Sequence, residues 1–239
     1  GVYYPDKTRV GWWKNGYPEY FAKVLNAPNW IGINIRVDEE EVDLGKCKVL
    51  SFVRKLNMKE GILYRKYHIA LPNGREVKAS ITRFLSMHNP EIGAIHYELT
   101  PVNFSGEIII TSYLDAGIKN ADANYDEYFW DVISKDVSGS YGYIVSRTRK
   151  TEFEVCAGIA TSVATHDGKS VTVLKEEKNE KSIASVFRVD VVKNKSIEIL
   201  KYASVLSSLY HGKKQIRKDA ETVLVAAVSK GFDALLSDH

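Results

Sequence analysis

Residues 31–37 read IGINIRV. Ile31, Ile33, Ile35 and Val37 alternate with Gly32, Asn34 and Arg36, the period of two expected of a half-buried antiparallel strand. The same pattern returns along the chain, in KVLSFVRKLNMKEGILYRKYHIAL (48–71), REVKASITRFLSM (75–87), IGAIHYELTPVN (92–103) and GEIIITSYLDAG (106–117). It continues in YGYIVSRTRKTEFEVCAGIATSVA (141–164), SVTVLKEE (170–177), SIASVFRVDV (182–191) and SIEILKYASVLSS (196–208). Asn73-Gly74 is expected to supply the two positive-φ residues of a tight hairpin, and 166–168 a second turn. Strands spaced roughly every 8–12 residues, with no strand–helix–strand alternation, predict a mainly β fold, a large antiparallel β-sandwich.

The period changes at the end. Ile216, Ala220, Val223, Leu224, Ala227 and Val228 fall at helical spacing, Gly231 interrupts, and Phe232, Leu235 and Leu236 resume the apolar face. This predicts one helix, or two broken at Gly231, docked on the sandwich or on a neighbour. The expected division is a β-sandwich over 1–211 and a helical linker over 212–239.

The 239 residues carry 33 Lys and Arg against 30 Asp and Glu, a net charge of +3. A nucleic-acid partner would leave a denser basic stripe, and Lys213, Lys214, Arg217 and Lys218 read as a solvated helix face. Cys47 and Cys156 are too few for a disulfide framework and sit in apolar surroundings, so both are expected to be buried free thiols. No run approaches the ~20 apolar residues of a membrane span, and no leader pattern opens the chain, so no membrane partner and a cytoplasmic setting are expected.

Two stretches fit no period. Residues 1–21, GVYYPDKTRVGWWKNGYPEYF, hold Trp12 and Trp13, and Trp30 follows. Residues 115–131 hold Asp122, Asp126, Glu127 and Asp131 interleaved with Tyr125, Tyr128, Phe129 and Trp130. Aromatic faces beside carboxylates suit sugars, and a glycosidase needs two acids ~5–10 Å apart. The same residues also fit a capped turn with aromatics plugging the end of the sandwich. Trp12, Trp13, Tyr17, Tyr20 and Phe21 read either as a sugar platform or as a hydrophobic clamp. The six histidines form no recognisable catalytic spacing, and His68 and His96 in strands read as structural.

PDKT, GWWKNGYP and NAPN near the start, then VDLGKC, LNMKEGILYRKY, RFLS and ANYDEYFWDV, carry a resemblance. The chain resembles the N-terminal part of the phosphorylases of glycoside hydrolase family 65, the maltose-cleaving branch more than the trehalose- or kojibiose-cleaving ones. The resemblance implies a galactose-mutarotase-like super-sandwich, a helical linker, an (α/α)₆ barrel and a small final sheet. It implies inverting phosphorolysis of maltose to β-glucose 1-phosphate and glucose, no metal or organic cofactor, and a homodimer. The general acid Glu and the phosphate-binding residues of the family lie in the barrel. No residue here matches them, and none is assigned as catalytic. The expectation is an incomplete sandwich, with open sheet edges that invite pairing with another copy.

The sandwich is then expected to support the barrel and the dimer, and to close one wall of the active-site mouth. Trp12, Trp13, Lys14, Asn15, Tyr125, Asp126, Glu127 and Trp130 are the candidates for that wall. A stand-alone carbohydrate-binding module is the alternative, and a small glycosidase using the 122–131 acids a further one.

Overall fold

The computed structural model describes residues 2–9, 11, 13–16, 18–121 and 127–239, with the side chain of Trp13 excepted. The first two strands, β1 (Tyr3–Lys7) and β2 (Tyr20–Val24), form a two-stranded antiparallel hairpin of their own. This corrects the reading of the first 21 residues as irregular. The strands have five residues each, too few to show a period, and Pro5 interrupts the first. Inside the hairpin Lys23 and Asp6 form a buried ion pair of 3.0 Å.

Two larger sheets make the sandwich. The smaller, five-stranded one runs β13 (Val173–Lys178), β14 (Ser182–Val191), β9 (Gly106–Asp115), β3 (Ile33–Val37), β4 (Glu40–Glu41). The larger, eight-stranded one begins β10 (Trp130–Ser138), β11 (Tyr141–Thr148), β12 (Glu154–Ala164), β15 (Ile197–Ser207). It continues β8 (Ile92–Pro101), β7 (Glu76–Leu85), β6 (Ile62–Ala70), β5 (Lys48–Asn57). All described pairings are antiparallel, as the alternation requires. β10 was not legible, because a bulge between Val132 and Ser134 shifts its phase midway.

The β6–β7 turn is also a correction. Only Gly74 has positive φ (80°), while Asn73 does not. Gly74 N–H donates to Leu71 O and Leu71 N–H to Arg75 O, at 2.9 and 2.8 Å. That is a type I turn closed by a left-handed glycine, not a two-residue primed turn. Residues 165–169 repeat the pattern, with Thr165 N–H on Lys169 O and Gly168 N–H on Thr165 O.

The main core lies between the sheets and includes Ile35, Val37, Ile69, Leu99, Ile108, Phe187 and Ile199. Trp30 joins it to a second cluster around Leu114, Ile144 and Ile183. Polar pins cross the layers. Ser112 and Thr161 hydroxyls are 2.7 Å apart, and the fully buried Lys201 donates from Nζ to Gly32 O at 2.7 Å and Tyr113 O at 2.8 Å. Burial drives the Lys201 amine well below its ordinary value. A neutral amine has two N–H donors, which matches two carbonyl acceptors.

Two helices follow, α1 (Ile216–Lys230) and α2 (Phe232–Asp238), parted at Gly231. Their buried residues Leu224, Ala227, Phe232 and Leu235 pack on Phe84, Ala94, Ala160 and Tyr202 of the larger sheet. The helical tail therefore docks on the sandwich. Cys156 is buried, and desolvation pushes its thiol up to about 12, so it is no nucleophile. Cys47 is only half-buried, against expectation, because it lies in the loop before the edge strand β5.

Candidate functional site

The two aperiodic stretches meet at one end of the sandwich. The Tyr4 and Phe129 ring centroids stand 4.5 Å apart. With Leu25, Trp130 and Val155 they form a small core that ties the hairpin to the segment before β10. An asparagine ladder completes the joint. Asn26 N–H donates to Asn120 Oδ1 at 3.0 Å, and Asn120 Nδ2 donates to Val24 O at 2.9 Å.

The predicted wall residues divide into three groups. Trp12, Tyr125 and Asp126 lie outside the described residues, as do Tyr17 and Asp122. Trp13, Lys14 and Asn15 form a single 3₁₀ turn in the connection between β1 and β2, with Lys14 and Asn15 exposed; the Trp13 side chain is not described. Glu127 is exposed, and its charge adds to burial in raising the Tyr4 phenol above its ordinary value. Trp130 points the other way. It is 3% exposed, and its indole N–H donates to Asn26 O at 2.8 Å. In this fold it braces the loop and presents no ring face outward.

The outer surface of this end is aromatic and cationic. Tyr3, Tyr20 and Phe21 stay exposed around a shallow depression of about 360 Å³ that Thr151 completes. Lys150 Nζ lies 5.0 Å from the Tyr4 ring centroid and 5.8 Å from that of Tyr20. Tyr128 meets Lys119 and Lys181, at 4.5 and 3.8 Å from its ring centroid. Such faces can stack on sugar C–H faces or on a protein neighbour. An acid–base pair is a poorer fit. Of the clustered acids, Asp131 is paired with Arg149 at 2.9 Å, and nearby Glu154 with Arg147 at 2.6 Å.

A second feature escaped the sequence reading. Arg54, Arg65 and Arg83 line one cleft of about 300 Å³ between the sheets, with Ile33 and Tyr113 of the smaller sheet on its other wall. They lie on three different strands, up to 29 positions apart (83 − 54), and each reads locally as an ordinary polar position. Only the register of β5, β6 and β7 brings them together.

The fold thus defines a two-layer antiparallel sandwich with a docked helical tail. The family model for the glycosyl hydrolase family 65 N-terminal domain matches residues 1–239, and the chain belongs to that family. It is 44% identical to a maltose phosphorylase of Bacillus subtilis over 153 residues, covering 64% of this chain and 20% of that protein. It is 28% identical to an α,α-trehalose phosphorylase of Thermoanaerobacter brockii over 234 residues, covering 92% and 30%. A solved human-microbiome structure with a provisional kojibiose phosphorylase designation superposes with a TM-score of 0.80 at 21% identity, covering 92% of this chain and 28% of that one. The last likeness concerns the fold alone. The chain spans 20% to 30% of the lengths of these relatives. Among the described residues no helix is long and apolar enough to cross a membrane.

Proposed function

We propose that this chain is the non-catalytic N-terminal sandwich of a maltose phosphorylase-like enzyme, whose parent reaction is inverting phosphorolysis of maltose to β-glucose 1-phosphate and glucose. The observation that carries the reading is the 44% identity to a maltose phosphorylase, against 28% to the trehalose enzyme. In this reading the sandwich supports an (α/α)₆ barrel of the same protein through the tail at 212–239 and takes part in a homodimer. It lends the turn at 13–15 and the segment around Glu127 to the active-site mouth, with Trp130 bracing that segment from inside.

The test joins the chain to its natural downstream sequence and assays phosphate-dependent release of β-glucose 1-phosphate from maltose, trehalose and kojibiose. Preference for maltose is expected, with no turnover by the 239-residue chain alone. Preference for trehalose or kojibiose overturns the branch, and glucose release by the isolated chain overturns the non-catalytic role.

A carbohydrate-binding module is the second reading, favoured by the exposed rings of Tyr3, Tyr20 and Phe21. Calorimetric titration of the chain with maltose separates the two. Saturable binding at sub-millimolar maltose, lost in Tyr20→Ala, selects the module.

A further inference from the structure

The charge of the cleft between the sheets is one-sided. Its larger-sheet wall carries Arg54, Arg65 and Arg83, and its other wall carries Ile33 and Tyr113, with Asn29 just before β3. No Asp or Glu is among the described residues that line it. Arg54 and Arg65 are direct cross-strand partners, and Arg83 stands opposite Leu63, one step diagonal to Arg65. Direct partners have Cβ atoms about 5 Å apart and diagonal ones about 7–8 Å, so three side chains of arginine length can meet over one point. Like charges placed directly opposite destabilise a pair of strands unless something answers them.

The described residues do not answer them. None of the three arginines donates to a carboxylate among those residues, and Arg65 has only the Tyr67 ring, 5.8 Å from its guanidinium carbon. Glu41 and Asp43 share a neighbouring recess with Arg65, but Lys46 holds them at 2.6 and 3.6 Å. Elsewhere in the sandwich the pattern is the opposite. Arg75 pairs with Asp38 at 2.9 Å, Arg147 with Glu154 at 2.6 Å and Arg188 with Glu107 at 3.3 Å. Arg83 is half-buried, and burial and then the charge of Arg65 lower its guanidinium below the ordinary value.

We infer that the cleft is an oxyanion site that takes a phosphate group, free or as a monoester, on Arg54, Arg65 and Arg83. A guanidinium offers five N–H donors, no acceptor and no way to shed its charge, so only an acceptor-rich anion satisfies three together. A carboxylate brings one charge and two oxygens in one plane. A phosphate brings more charge and oxygens in several directions, which suits forks arriving from three strands. Asn29 adds a donor from the other wall. Its Oδ1 accepts from Ile31 N–H at 3.1 Å, and its Nδ2 has no partner among the described residues. Leu63, Ile81 and Ile95 flank the guanidiniums and hold water back, which strengthens bonds between charged groups. Ile31 and Ile33 offer the organic part of an ester an apolar wall.

The chain is titrated calorimetrically with inorganic phosphate, glucose 1-phosphate and glucose, in chloride buffer of constant ionic strength. Binding is read without turnover, so the inference is tested apart from the parent reaction. Saturable binding of the two phosphates and not of glucose is expected. It should weaken roughly ten-fold or more in Arg54→Gln and in Arg65→Gln and stay unchanged in Arg188→Gln. Tighter binding of the ester assigns the apolar wall to its organic part, and equal binding assigns the site to free phosphate. In a melt without phosphate R65Q should unfold at a higher temperature than wild type, because the opposed charges are gone, and it should lose the rise that phosphate gives wild type. Arg54 is exposed, so R54Q keeps the test valid if R65Q fails to fold. No saturable binding, glucose bound as tightly as the phosphates, or undiminished binding in R54Q overturns the inference. Phenylglyoxal labelling, mapped by mass spectrometry, carries the test into the chain extended by its natural flanking sequence, where phosphate should shield Arg54 and Arg65. Arginines that resist the reagent there without phosphate overturn it in favour of carboxylates from the flanking sequence.

Discussion

Lys201 shows how much one side chain decides. It sits where β15 faces the smaller sheet, and its amine donates to two carbonyls, Tyr113 O and Gly32 O, the second of which also accepts from Tyr113 N–H at 3.1 Å. Lys201→Met keeps most of the volume and takes the amine from Tyr113 O, while Gly32 O retains the Tyr113 N–H. An unsatisfied buried acceptor costs about 1–3 kcal/mol, so a loss of that size is expected in urea denaturation. The pH dependence has a definite sign. The folded amine titrates well below its ordinary value, so the unfolded state binds the extra proton between the two values. Stability therefore rises with pH across that window and is lost as pH falls through the folded value. The difference between wild type and K201M should widen from about pH 7 to about pH 10; a constant difference shows that the amine stays charged inside. Gly93 is the steric counterpart. A Cβ there would stand 2.6 Å from the Trp30 ring. Gly93→Ala should cost about 1–3 kcal/mol in the same assay, since Trp30 bridges two core clusters and cannot yield freely.

At the scale of elements, one imidazole clasps the start of α1 to the sandwich. His211 Nδ1 lies 2.9 Å from Asp219 of the first helical turn, and Nε2 lies 2.7 Å from Glu91 in the β7–β8 loop. Two carboxylates on two ring nitrogens call for a doubly protonated ring, and hydrogen bonds to both raise its pKa above the ordinary value. The clasp is at full strength below the unfolded value of about 6.5 and is lost as pH rises through the raised folded value. Stability measured from about pH 6 to pH 9 should fall through that window, and His211→Gln should flatten the fall. An unchanged profile in H211Q removes the clasp as its cause. The helices themselves were legible from spacing, including the break at Gly231, because one face is buried along the whole tail. Most strands were legible for the same reason. β10 was not, since its bulge reverses the phase, and the β1–β2 hairpin was not, since five residues around Pro5 show no period. The joining of the two aromatic stretches was only half visible. Composition marked both, but that they meet through Tyr4, Phe129 and Asn26 depends on contacts about 100 positions apart.

For the whole molecule, the aromatic end of the sandwich divides into an inside and an outside, and the two should answer different assays. Trp130 belongs to the inside, where its indole N–H holds Asn26 O in a buried cluster. Trp130→Phe keeps most of the apolar volume and drops that bond, so about 1 kcal/mol of stability should go. Lys14 and Asn15 belong to the outside, on a short turn with their side chains in solvent. If that turn closes the active-site mouth of the longer enzyme, Lys14→Ala with Asn15→Ala should raise KM for maltose. It should leave kcat and thermal stability nearly unchanged, the signature of lost uniform binding. The Trp130→Phe enzyme should show the reverse, a lower melting temperature with KM retained. Steady-state kinetics and a thermal melt on the same preparations check both. An unchanged KM in the double variant detaches the turn from the mouth and leaves it as part of the hairpin's own packing.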